Sequence, residues 1–337
     1  MARSDLIRRL FASYASSDDA AFRHAAGEII ADERRKNHRL LANELEHELN
    51  ALNLHQHPGA GLPLSLRPIP KSRDERPLLR LSKPGRELAE LVLAPRVRVI
   101  VDEIVTENRS RAALTSHGLR PRSRLIMLGP PGTGKSVTAH AIAAELSLPV
   151  ATASLAALTS SFLGDTARNI EAVIRFAEQT PCVLLLDEFD VLGQERGQAG
   201  DHGEMRRVAA TVLQMLEDVQ GESLLVATSN HPQLVDTAVW RRFDEVIGFD
   251  ALDQAQLSEL ITLKLRATES AVSPRIWAEK LVDLSPAEVE LVCFDAMRRS
   301  VLAEKPAVDD TSMFAAVERM RERRKLLSNT APIGSPD

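Results

Sequence analysis

Four stretches of this 337-residue chain carry side chains whose types and spacing suit chemistry on a polyphosphate. Gly129-Pro130-Pro131-Gly132-Thr133-Gly134-Lys135-Ser136, followed by Val137, satisfies the pattern Gly-x-x-x-x-Gly-Lys-Ser. Glycines let successive backbone N–H groups turn inward onto phosphate oxygens, and a helix starting at Lys135 would add its positive N-terminal end. Lys135 would reach the β- and γ-phosphates, and Ser136 would ligate Mg²⁺. The run Val183–Leu186 ends in Asp187 and Glu188. There Asp187 would complete the Mg²⁺ shell, and Glu188 would orient or polarise an attacking water. A further apolar run, Leu224–Ala227, leads to Asn230, which could fix that water; alone, Asn230-His231-Pro232 is a turn signal. Beyond it stand Arg241 and Arg242, flanked by Trp240 and Phe243. Such a pair is either a surface ion-pair cluster or, supplied from a neighbour, a stabiliser of charge on a transferring phosphoryl group.

The elements that must hold these residues are legible in the apolar pattern. Short strand-like runs occur at Leu125–Leu128, Pro149–Thr152, Cys182–Leu186, Leu224–Thr228 and Val246–Phe249. Helical stretches Ser136–Leu146, Thr166–Gln179 and Glu204–Asp218 separate the first four. Continuous apolar strands alternating with helices imply an α/β fold whose parallel sheet, here five-stranded, is covered on both faces in an αβα sandwich. After residue 252 only helical patterns remain, at Asp253–Thr268, Ile276–Asp283, Pro286–Glu304 and Asp310–Leu327. Before the α/β part, residues 5–52 are helical in pattern, with Ser17 and Asp18 placed to cap a second helix and a Leu41, Leu45, Leu49, Leu52 stripe. Six prolines between residues 57 and 85 read as a linker. The expected organisation is an N-terminal helical region (1–56), a basic Pro-rich linker (57–85), an α/β domain (86–252), a helical domain (253–327) and a frayed tail (328–337).

Composition narrows the function classes. Hydrophobic residues make up 44% and charged residues 26%, which excludes collagen-like and wholly disordered chains. No apolar run approaches the ~18–20 residues of a membrane span, and the charged start Met1–Leu10 lacks a signal-peptide core. Cys182 and Cys293 form no metal-type spacing and read as buried thiols in a reducing compartment, the cytoplasm. The histidines of residues 1–60 repeat no ligand spacing. Net charge is −5 but uneven: residues 61–124 carry 14 basic and 7 acidic groups, residues 126–297 carry 12 and 25. A basic connector ahead of an acidic body is either a solvated Arg-rich linker or a polyanion contact. With aromatics at 4%, base-stacking platforms are not suggested.

Phosphate loop, Asp-Glu strand, Asn strand, Arg-Arg-Phe and a following helical domain occur in the order of the AAA family of ATPases, which the chain resembles over about residues 86–304. The resemblance implies a P-loop NTPase fold with a helical lid, ATP and Mg²⁺ as ligands, and ATP hydrolysis. Gly129–Ser136 is similar to Walker A and Leu184–Asp190 to Walker B; Asn230 falls at sensor 1, and Arg241 and Arg242 in the arginine-finger region. Ser285–Glu288 resembles the motif opening a lid helix near the nucleotide, and is equally a capping box that any helix would use. No sensor-2 arginine begins that helix, as in the narrower AAA group. Phe162, Leu163 and Gly164 are similar to the aromatic–aliphatic–Gly pore loop that grips a polypeptide in the channel of a six-membered ring; Phe162 is otherwise a core residue beside Leu158. The implied partners are copies of the chain in a homohexamer and a polypeptide substrate. The wording is closest to small stand-alone bacterial AAA ATPases, some encoded beside subtilisin-like proteases and linked to phage defence or plasmid incompatibility. The chain has no protease motif of its own, so a protease would be a separate partner. The alternative is an ATP-dependent nucleic-acid-associated regulator or helicase loader using the basic stretch 61–124.

Overall fold

A computed structural model of the chain describes residues 19–35, 68–158, 163–192, 214–216, 219, 221–231, 233 and 240–329. Residues up to Pro68 form a unit of their own, of which one helix, α1 (Asp19–Arg35), is described. It follows the expected Ser17/Asp18 start and buries Ala25 and Ile30. The other two helical stretches expected within residues 5–52 lie outside the described residues, as does most of Glu204–Asp218, where 214–216 are helical.

The second unit, from Ile69 onward, begins with edge strand β1 (Arg80–Ser82) and helices α2 (Pro95–Arg109) and α3 (Arg111–Ser116). Then β2 (Arg124–Leu128), α4 (Lys135–Glu145), β3 (Val150–Ser154), a single turn α5 (Leu155–Leu158), α6 (Leu163–Gln179) and β4 (Val183–Asp187) follow. The α/β part closes with β5 (Leu224–Ser229) and β6 (Glu245–Gly248). Strand order is β1-β3-β4-β5-β2-β6. The five expected strands all pair in parallel.

The sheet differs from expectation by one strand. β1 comes from the stretch read as linker and pairs antiparallel with β3. Just before it, Leu78 and Leu79 are buried in the core. Proline density hid this because the strand is three residues long and lies on an edge, where prolines nearby are tolerated.

The continuous apolar character of the strands follows from burial on both faces. Ile126, Leu128, Leu184, Leu186, Leu225 and Ala227 join one core cluster. Their alternates Leu125, Met127, Val183, Leu185, Leu224 and Val226 join the other. Successive strand side chains point to opposite faces, so each needs its own apolar layer.

Beyond β6 the chain is helical: α7 (Gln254–Leu265), α8 (Pro274–Lys280), α9 (Pro286–Leu302) and α10 (Asp310–Asn329). They enclose a third core centred on Trp277, Leu281, Val292 and Val308. α7 and α9 each start at a complete capping box, Asp253 with Gln256 and Ser285 with Glu288. The segment before α2 ties this lid to the sheet. Leu88 sits in the sheet core, Val92 packs on the lid core, and Arg86 pairs with Glu290 of α9 at 2.5 Å.

Candidate functional site

The C-terminal ends of parallel strands face ligands in open α/β sheets, and here four strands deliver the relevant residues to one edge. β2 runs directly into the phosphate loop. Gly129, Gly132 and Gly134 adopt φ of 149°, 78° and 102°, the last as N-cap of α4. Gly129 also has no room for a side chain, since a Cβ there would lie 2.0 Å from the carbonyl oxygen of Phe249. Thr133 Oγ1 donates to the Pro130 carbonyl at 2.8 Å, bracing the loop across its turn.

Lys135 is 6% exposed, and its ammonium donates to the Gly129 and Pro130 carbonyls at 2.7 Å each. Burial pushes its pKa down, and the Asp187 and Asp190 carboxylates pull the other way. A buried cation folded over a loop of positive-φ glycines at a helix N-terminus is a donor set suited to polyphosphate. Ser136, in the first turn of α4, is half-buried, and Val137 lies at the surface. Pro130 and Pro131 line the exposed side of the loop.

β4 ends at Asp187, and β5 lies between β4 and β2. Two inter-strand steps of ~4.8 Å put the Asp187 backbone about 10 Å from that of the phosphate loop, and its carboxylate still acts on the Lys135 ammonium. Asp187 Oδ1 accepts from Thr228 Oγ1 of β5 and from the Glu188 backbone N–H at 3.1 Å. Glu188 has φ 59° and an exposed side chain, whose Oε2 accepts from Ser154 Oγ at 2.6 Å. Thr228 and Ser154 were not anticipated from sequence; each sits at the end of its apolar strand, and that position was the available signal. Asn230 follows β5 directly and is half-buried. Among the described residues no cluster of three or more His, Cys, Asp or Glu could hold a metal. The expected Mg²⁺ ligands Ser136 and Asp187 would suit an ion that phosphate oxygens also hold, its usual mode at nucleotide sites.

The lid closes on the same loop. The Ala287 N–H donates to the Gly132 carbonyl at 3.1 Å, and a Cβ on Gly132 would meet Ser285 Oγ at 2.8 Å. The Ser285–Glu288 segment is thus both a capping box and a contact to the phosphate loop. Glu288 accepts from Ser285 N at 2.8 Å and from Arg324 Nε and Nη2 of α10 at 2.7 Å each. The Arg324 guanidinium above all holds the Glu288 carboxyl down at about 2.

Arg241 is exposed and Arg242 half-buried. Trp240 packs on the core before them, and the Phe243 ring after them stands edge-on to Phe189, centroids 5.7 Å apart. Asp244 N donates to the Arg124 carbonyl at 2.8 Å, and its carboxylate accepts from the backbone N–H groups of Ser123 and Arg124 at 2.9 Å and from the Arg124 guanidinium at 2.6 Å. The arginine turn is therefore fastened to the start of β2, whereas the phosphate loop follows its end. The five-residue strand separates them by roughly 15 Å.

Phe162 lies outside the described residues. Leu163 and Gly164, expected in a loop, instead begin α6; Asp165 in its first turn favours a helix start there.

Residues 125–251 match the family model described as ATPase family associated with various cellular activities (AAA). The whole chain aligns with the uncharacterized AAA family ATPase y4kL of Sinorhizobium fredii, at 36% identity over 336 residues, 99% of this chain and 100% of the relative. The chain belongs to the AAA family of ATPases. The chain is accordingly an ATPase. Partial relatives include the peroxisomal ATPase PEX6 of Penicillium chrysogenum, 30% identical over 59% of the chain and 15% of that protein. The 26S proteasome regulatory subunit S10B homolog B of Arabidopsis thaliana is 28% identical over 63% of the chain and 56% of that protein. The chain therefore spans only a small part of the first and about half of the second. Among the described residues no helix is long and apolar enough to cross a membrane.

Proposed function

We propose that the chain is an ATP-driven remodelling motor that assembles as a ring, in the hexameric form that its resemblance implies, and draws a polypeptide through a central pore. The observation that carries this reading is the position of the arginine turn. Arg241 and Arg242 precede Asp244, which is anchored at the start of β2, the opposite end of that strand from the phosphate loop, a placement suited to a neighbour's site. The ring would then be part of the catalytic apparatus.

In this reading the backbone N–H groups of Gly132 and Gly134 and the Lys135 ammonium bind and orient the phosphates. Bound Mg²⁺, held by Ser136 and Asp187, would neutralise charge on the β- and γ-oxygens. Thr228 fixes the Asp187 carboxylate. Glu188, with Asn230 beside it, takes up the proton side of water attack, while Arg241 and Arg242 from the adjacent subunit stabilise charge on the transferring group. Phe162 grips the polypeptide. The partial likeness to PEX6 and to a proteasome regulatory subunit supports a polypeptide substrate. Two buried, unpaired thiols suit a reducing, cytoplasmic setting, and a separately encoded protease could receive the product.

The test mixes Arg242→Ala with Glu188→Gln subunits. Each homogeneous variant should turn over at least ~100-fold more slowly than wild type, and mixed rings should recover hydrolysis where an intact Arg242 faces an intact Glu188. Absence of recovery at every mixing ratio would show that the arginines do not act across subunits.

A further inference from the structure

The stretch between the N-terminal unit and α2 carries a second built feature, a hairpin whose ends are the Lys71–Pro77 bridge. Leu78 N–H donates to the Pro70 carbonyl at 2.8 Å and Ser72 N–H to the Arg76 carbonyl at 2.8 Å. Glu75 turns the tip with φ 61°, in the left-handed region that a non-glycine residue occupies at a cost. The hairpin root is fixed by Leu78 and Leu79, buried in the same cluster as Leu155 and Leu158 of α5. This is a defined projection, rigidly rooted on the sheet.

Its charges are unusual for this molecule. Among the described residues, most arginines of the α/β and lid parts are engaged in ion pairs, including Arg86, Arg98, Arg109, Arg122, Arg124 and Arg324. Among the described residues, Arg73, Arg76, Arg80 and Lys83 are all exposed and none forms an ion pair; Lys71 alone is matched, by Glu75 at 2.6 Å. Antiparallel pairing sets Arg80 opposite Thr152, so the hairpin lies toward the C-terminal end of β3. That is the end of the sheet carrying the nucleotide residues, from which the chain leaves through α5.

We infer that this basic hairpin and edge strand form a docking site for acidic segments of the polypeptide substrate, with Arg73, Arg76, Arg80 and Lys83 as its charges. The choice of a polypeptide among anions rests on the remodelling reading above. Two further observations favour it over nucleic acid. Residues 69–86 contain no aromatic side chain on which a base could stack. The hairpin tip also interleaves Asp74 and Glu75 with its arginines, which breaks the cation track that a phosphate backbone follows. Charges on a short edge strand also guard against edge-to-edge pairing, and the experiment separates the two roles.

The experiment measures binding of fluorescein-labelled unfolded peptides to the full-length protein with a non-hydrolysed ATP analogue. One peptide is rich in Glu, and the other has Gln at the same positions. Wild type should bind the Glu peptide about tenfold more tightly, the effect of four exposed charge pairs of modest strength, with the preference fading as salt rises. The variant R73Q/R76Q/R80Q/K83Q should bind both peptides equally. R73Q/R76Q, which leaves the strand untouched, should lose part of the preference and guards against misfolding of the fourfold variant. A preference that survives both substitutions overturns the assignment, whether or not the variants aggregate. So does loss of binding to a single-stranded oligonucleotide with the peptide preference intact, which would mark a nucleic-acid site. ATPase stimulation is read in parallel. Charge-selective peptide binding without stimulation by any unfolded polypeptide would refute the remodelling reading and leave the hairpin assignment standing.

Discussion

Arg324→Leu tests how the lid is held at the phosphate loop. In the folded chain Arg324 grips Glu288 through two 2.7 Å bonds, and Glu288 in turn holds the Ser285 N–H at the start of the helix whose Ala287 touches Gly132. A carboxyl taken from 4.5 to about 2 corresponds to ~3 kcal/mol, at ~1.4 kcal/mol per tenfold. Arg324 is the largest cause, but the Ser285 N–H and hydroxyl share in the shift, and with 23% of the Glu288 side chain and 39% of Arg324 open to solvent screening reduces it further, so the substitution should cost about 1 kcal/mol at pH 7. The folded-state pKa is depressed, so this stabilisation is present above 4.5 and is lost as pH falls toward 2. At pH 3 less than about half of the gap between wild type and variant should remain. Urea unfolding reads it directly in a Trp240→Phe background, where Trp277 in the lid core becomes the sole tryptophan. A gap of equal size at pH 7 and pH 3 would refute the ionic account and leave Arg324 acting through its aliphatic packing alone.

Thr228→Val removes the hydroxyl that holds Asp187 while keeping its volume; if Asp187 holds Mg²⁺ as proposed, the Mg²⁺ concentration for half-maximal ATPase should rise by about tenfold, the usual effect of losing a partner behind a metal ligand. An unchanged Mg²⁺ titration would confine Thr228 to a packing role. Gly129→Ala puts a Cβ 2.0 Å from the Phe249 oxygen, which the chain can relieve only by moving the exit of β6; a loss of about 2–4 kcal/mol in stability, with loss of nucleotide binding, is expected from thermal unfolding and nucleotide titration.

The phosphate loop, Asp187–Glu188 and Asn230 stood out as candidates in sequence because each follows an apolar strand, and the strands were legible because burial on both faces leaves no polar alternation to confuse the pattern. All five expected strands agree with the structure to within two residues. Helix α2 carries Pro95 in its first turn and a buried Val97, Val101, Ile104, Val105 stripe, but it precedes the first expected strand, so the strand–helix alternation does not announce it. β1 was hidden by the prolines on either side of it, Pro77 and Pro84. Thr228 and Ser154 escaped because a hydroxyl at a strand end has no signature until its carboxylate partner is placed. The lid contact at Gly132 joins residues more than 150 positions apart, and neither partner is chemically unusual; only the folded chain brings them together.

The edge-on rings of Phe189 and Phe243 join two places that the chain keeps 54 residues apart. Phe189 is the immediate neighbour of Glu188, and Phe243 of Arg242. Close-packed interiors do not absorb displacement by compressing, so any shift of the first turn must be felt by the second. If those arginines serve the adjoining subunit, each protomer is a lever with its fulcrum at this aromatic contact. One arm would rest in its own pocket and the other in the next, so that movement at one is passed to the other through two phenyl groups.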